Sequence, residues 1–88
     1  MSRKRALARE QVSKLKDGPC ADCGNRFHPF VMDFDHRPGE VKLMAVSKMV
    51  VRAYPAEKIH REIEKCDLVC SNCHRIRTWE RMNSGGNA

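Results

Sequence analysis

The chain has 88 residues, of which 32% are charged and 6% aromatic, so it has room for one small domain whose core would rarely supply more than ~3–5 kcal/mol without a staple. Its longest apolar runs, LMAV and MVV, are far too short to cross a bilayer, and the basic opening MSRKRALARE lacks the apolar stretch of a secretory leader, so a cytoplasmic protein with no membrane partner is expected. The formal net charge of +6 is concentrated near the two ends, in Arg3, Lys4, Arg5, Arg9, Lys14 and Lys16 and again in Arg75, Arg77 and Arg81; this pattern fits a polyanionic partner such as nucleic acid, and equally a plain solvated surface.

Taken in chain order, residues 2–17 predict a helix with a thin apolar stripe of Ala8, Val12 and Leu15, stopped by Gly18-Pro19. CADCGNRF is a glycine-containing knuckle. PFVMDFDH alternates, with Phe30, Met32 and Phe34 on one face and Val31, Asp33 and Asp35 on the other, as in a strand. Pro38-Gly39 suits the centre of a type II turn, and VKLMAV then reads as a returning strand, so that residues 30–46 predict a β-hairpin with Asp35-His36 near its turn. SKMVVRAY is ambiguous, with room for one helical turn. PAEKIHREIEKC predicts a helix with Pro55 at its start and a stripe of Ile59, Ile63 and Cys66. A last helix opens at CSNCHRIRTWERM, with Ser71 as a candidate N-cap, and NSGGNA reads as a flexible tail.

Cys20-x2-Cys23 and Cys70-x2-Cys73 form two CxxC knuckles. Four thiolates at this spacing suit a closed tetrahedral structural zinc site, in a chain where disulfides are not expected. The fifth cysteine, Cys66, reads as a small buried hydrophobe on the helix stripe rather than as a ligand.

His74 directly follows the last of these cysteines. At 100° per residue, His74, Arg77, Thr78 and Arg81 share one face of the last helix, while Ile76 and Trp79 point the other way, toward an expected core. Zinc would tie Cys23 to Cys73 and so bring the Asp35-His36 end of the hairpin against His74. One patch would then hold Asp35, His36 and His74, with Asp33 nearby, beside Arg77 and Arg81. A carboxylate with imidazole suits Mg²⁺, Mn²⁺ or a later first-row ion. His60 reads as solvent-facing, His28 as outside the patch, and Tyr54 and Trp79 as core.

The run CADCG…VMDFDHRPGE…IEKCDLVCSNCHRIRT resembles the HNH endonucleases, of the ββα-metal (His-Me finger) class, and is most similar to their small zinc-stapled phage and prophage members. The resemblance covers about residues 18–79. It implies an α+β fold, a β-hairpin packed on a helix around one divalent ion, here with an added N-terminal helix: residues 1–17 a basic arm, 18–82 the nuclease domain, 83–88 the tail. It implies DNA nicking to 5′-phosphate and 3′-hydroxyl ends, with His36 as general base and Asp35 and His74 as ligands of a Mg²⁺, Mn²⁺ or Ni²⁺ ion. Arg77, Arg81, Lys42, Arg3, Lys4 and Arg5 would hold DNA phosphates. The family's middle Asn is missing before the second knuckle, and its role falls either to a backbone carbonyl or to Asn72; Asp33 has no assigned role. A double-strand cut would need a homodimer or a second event, and a phage protein partner would supply specificity. The rival reading is a non-catalytic zinc module that binds DNA or serves a phage packaging or recombination complex.

Overall fold

The computed structural model describes residues 3–85, with the backbone alone at residues 4, 5 and 85. The side chains of Lys4 and Arg5 therefore lie outside the described residues, as do residues 86–88 of the expected tail. Among the described residues, four helices, α1 (Arg3–Leu15), α2 (Val46–Val51), α3 (Ala56–Ile63) and α4 (Ser71–Gly85), surround a two-stranded antiparallel sheet of β1 (Met32–His36) and β2 (Cys66–Cys70). A single 3₁₀ turn, Pro29–Val31, leads into β1; His28 caps it by accepting a hydrogen bond from the Phe30 amide. No described helix is long and apolar enough to cross a membrane.

The strand expected at PFVMDFDH forms only over Met32–His36, because Pro29–Val31 wind into the 3₁₀ turn and leave Phe30 88% exposed; the turn after it forms as Pro38-Gly39 predict. Glu40 N donates to Arg37 O at 3.2 Å, and Gly39 takes the positive φ of 88° that a type II turn requires there. The partner strand is different. VKLMAV does not return along β1; β1 pairs with CDLVC, from Met32 opposite Cys70 to His36 opposite Cys66. The reason lies in burial. This register leaves Met32 and Val69 at 0% exposure beside Cys20 and Cys70, whereas Val41 and Leu43 stay 84% and 59% exposed and contribute nothing to the core.

That pairing also ends the α3 helix at Ile63, before Cys66, which belongs to β2. A two-stranded sheet is marginal by itself, and two clusters brace this one. Val12, Val46, Met49, Val50 and Ile59 pack together with Ala8, Phe34, Tyr54, Ile63 and Cys66 around them. Cys20, Met32, Val69 and Cys70 form the second cluster, at the cysteine end. SKMVVRAY supplies part of α2 and two of these core residues, Met49 and Val50.

The α4 helix faces the sheet the opposite way from the apolar reading. Ile76 and Trp79 are 55% and 63% exposed, while Cys73, His74 and Arg77 turn inward. Carboxylates on the first knuckle and both strands give the inward basic groups partners, so the polar face can be the packed one. The helix also runs on through Gly85, beyond the expected start of the tail.

Candidate functional site

The four knuckle cysteines come together at the end of the sheet, with all four sulfurs within 4.8 Å of one another. Tetrahedral zinc with ~2.3 Å bonds would set them about 3.8 Å apart, so the group can hold a metal such as zinc with little adjustment. Backbone amides already point at the sulfurs: Cys23 N and Cys70 N at Cys20 Sγ (3.5 and 3.3 Å) and Cys73 N at Cys70 Sγ (3.4 Å). Burial opposes ionisation of Cys20, but the amides of Cys23, Cys70 and Asp22 outweigh it and bring the thiol down to about 6. Cys73, hydrogen-bonded to the Cys70 sulfur, is pushed up to about 12. Sulfurs this close cannot all be thiolates without a cation among them. Cys66 stands apart, donating to Glu62 O at 3.3 Å, its thiol pushed up to about 11 by burial and by Glu62. Among the described residues this is the only group of three or more cysteines, histidines and carboxylates able to hold a metal.

Beside it, β1 presents Asp33 and Asp35 to α4. Period-two alternation turns both to one face, and Arg77 and Arg81, one helical turn apart, meet Asp35. Arg81 forks onto it, NH1 to Oδ1 at 2.8 Å and NH2 to Oδ2 at 2.7 Å. Arg77 NH1 reaches Asp35 Oδ2 (2.9 Å) and Asp67 (3.1 Å), while its Nε and NH2 clasp Asp22 at 2.6 and 2.7 Å. Each nitrogen of Arg77 thus rests on a protein carboxylate, and the side chain ties the first knuckle and both strands to α4. Burial opposes the charge on Asp35, but the two guanidinium groups hold its carboxyl down to about 2. Asp22 is lowered by Arg77, chiefly through the hydrogen bond.

These shifts make a test. A carboxyl depressed in the fold contributes stability that is complete above its unfolded value near ~4 and is lost as the pH falls toward 2. Asp35→Asn should therefore be less stable than the parent at pH 7, with the gap narrowing in urea melts as the pH falls below ~4. A gap that stays constant with pH would place the cost in packing rather than in the Asp35 charge.

His74 sits where the helix face predicts. Its Nδ1 lies 3.0 Å from Asp33 Oδ2, and its Nε2 faces Asp35 Oδ1 at 3.5 Å. His36 is on the other face of β1, its side chain 11% exposed, with Nε2 2.7 Å from Glu62 Oε2. Both faces reach one cleft of about 610 Å³, lined by Asp33, Asp35, His36, His74 and Arg81, with Lys42 on the loop of residues 37–45. Asn72 is exposed on the first turn of α4 and makes no hydrogen bond to His36, His60 is exposed as expected, and His28 lines a different groove. Arg3 is exposed on α1.

The sequence reading missed Glu62. It is 2% exposed, with three donors: His36, the Leu43 amide (2.9 Å) and Lys65 Nζ (2.9 Å). Burial opposes its charge, but Lys65, the amide and His36 hold the carboxyl down to about 2. A signal was present: Glu62 lies on the Ile59–Ile63 stripe, a charge where the helix period demands an apolar residue. Asp22 and Asp67 left no such trace, since exposed acids are common. Compared with known protein families, curated protein sequences and solved structures, the chain matches none.

Proposed function

We propose that this protein is a metal-dependent DNA endonuclease of the HNH kind, nicking phosphodiester bonds to leave 5′-phosphate and 3′-hydroxyl ends, with zinc on Cys20, Cys23, Cys70 and Cys73 as its staple. The observation that carries the reading is the meeting of His74, Asp35 and His36 on one cleft. In the neutral ring with its Nδ1 hydrogen on Asp33, Nε2 would be left facing the Asp35 carboxylate. His74 Nε2 and Asp35 Oδ1 stand 3.5 Å apart, a separation that two ligands of one ion would span once Arg77 and Arg81 release the Asp35 oxygens they hold here, and an imidazole braced by a carboxylate is the usual form of a metal-ligating histidine. Asp35 and His74 are thus the residues that would hold a divalent ion, which would supply charge stabilisation at the phosphate oxygens.

The remaining work falls to the protein. His36 accepts the proton of the attacking water. Lys42 and, once it releases Asp35, the 44% exposed Arg81 hold flanking phosphates from the cleft rim, and Arg3, Arg9 and Lys14 extend the positive surface along α1. Phosphate contacts position the duplex without reading its sequence. Conversion of supercoiled plasmid to open circles by the full chain tests the proposal; no nicking in Mg²⁺, Mn²⁺ or Ni²⁺ would overturn it.

Binding should be weakly selective and steeply dependent on salt. Val12 belongs to the core, so the arm is tested by substitution, not deletion. Changing Arg3, Arg9 and Lys14 to Gln should flatten the slope of log affinity against log salt by up to about 3, since each lost phosphate contact releases one counterion fewer. An unchanged slope means that α1 does not touch DNA.

A further inference from the structure

Glu62 is a buried, ionised carboxylate that no expected role uses. A charge at 2% exposure is poor stabiliser material: replacing buried ionic groups by apolar ones of similar volume is often neutral or favourable. Its hydrogen bonds point to a different use. Oε2 accepts from two donors at once, His36 Nε2 and the Leu43 amide. Oε1 takes Lys65 Nζ, which also donates to Val41 O at 2.9 Å. Arg37 closes the same loop at its start, donating to Cys66 O at 2.9 Å and to Glu64 O. One carboxylate therefore grips both the His36 ring and the loop of residues 37–45 that carries Lys42 on the cleft rim.

With the reading of His36 as the base as its footing, we infer that Glu62 is the positioning residue of that base: it holds the ring with Nε2–H turned inward and Nδ1 free for the attacking water. An ionised carboxylate can only accept, so in the neutral ring the hydrogen is on Nε2 and the lone pair on Nδ1. Nδ1 has no hydrogen-bond partner, and no buried side-chain nitrogen or oxygen among the described residues lacks one, so solvent reaches Nδ1. In the reaction, water gives its proton to Nδ1, its oxygen bonds to phosphorus, and the bond from phosphorus to the 3′ oxygen breaks, the 3′ oxygen leaving with the bonding pair and taking a proton from solvent water to become the 3′-hydroxyl. The ring then carries a positive charge beside the Glu62 carboxylate, which keeps its own charge and accepts no proton. Sequence neighbours give no such support: Asp35 and Arg37 flank His36 in the chain but face other partners.

Two measurements test this on the full, zinc-loaded chain. Long-range proton–nitrogen NMR spectra of the wild type should show His36 as the Nε2–H tautomer; an Nδ1–H tautomer overturns the inference without any appeal to activity. The second is a double-mutant cycle in single-turnover plasmid nicking, with zinc content and circular dichroism checked for each variant. Glu62→Gln alone should slow the step about 10–100-fold at saturating DNA, the scale known for loss of a carboxylate that braces a metal-bound imidazole. In the His36→Ala background the same change should cost less than about 2-fold, because a residue that acts through another has nothing left to act on. An equal cost in both backgrounds makes Glu62 a fold residue and overturns the inference. Failure of the nuclease reading looks different: wild type that does not nick, or His36→Ala that nicks as well as wild type.

Discussion

Strong chelation is expected to unfold this protein cooperatively, and elemental analysis is expected to find one zinc per chain. The apolar clusters are small, and Cys20 and Cys70 are themselves part of one of them, at 2% and 4% exposure. The sulfurs join the segment before β1 to the start of α4, so the ion would tie together residues 50 apart in the chain. Structural zinc contributes an apparent ~10–16 kcal/mol in small domains at neutral pH, well above the ~3–5 kcal/mol that a core of this size supplies. Cys70→Ser should lose zinc and cooperative melting together. Cys66→Ala should keep the full zinc content, because the Cys66 thiol bonds Glu62 O and stands outside the group of four. Purified protein without zinc, but with a cooperative melt, would show that the four cysteines are not a structural site.

The two cleft histidines are expected to fail in different ways. His36→Ala should retain zinc, fold and metal-dependent DNA binding while losing nicking by ~10²–10⁴-fold, the usual worth of a general base. His74→Ala should retain zinc, since its ring faces Asp33 and Asp35 rather than the sulfurs. It should instead weaken divalent affinity, so that raising Mg²⁺ or Mn²⁺ partly restores the rate. The measurements are zinc content, binding of Mn²⁺ followed by calorimetry, and plasmid nicking across a divalent titration. Loss of zinc in His74→Ala would assign this ring to the sulfur site. Nicking by both variants at the wild-type rate would leave the non-catalytic zinc module as the reading to pursue.

Much of the site is visible in local spacing. The two CxxC knuckles name their four cysteines because a metal site needs sulfurs that converge, and two residues between cysteines allow it. His74, Arg77 and Arg81 fall on one helical face by period alone, and they do share it. Asp33 and Asp35 share a strand face for the same reason. Glu62 was harder to see. Its partner His36 lies far away in sequence, and only the fold brings helix α3 behind β1. Trp79 reads as core because an apolar side chain on a helix ordinarily faces it; here the carboxylates of Asp22, Asp35 and Asp67 make the arginine face the packed one.

By itself the sequence determined what depends on short range: the knuckles, the Pro38-Gly39 turn, the start of α3 after Pro55 and the period that gathers the α4 side chains. The tertiary structure alone decided which strand pairs with β1. The turn after His36 favours a local return, but pairing is settled by the apolar surface it buries, and CDLVC buries Met32 and Val69 completely where VKLMAV leaves Val41 and Leu43 in water. That choice sets Cys66 opposite His36, draws Cys70 to Cys20, and brings Glu62 behind the imidazole. Burial and charge pairing between distant segments are sums over the whole chain, so no window of neighbouring residues contains them.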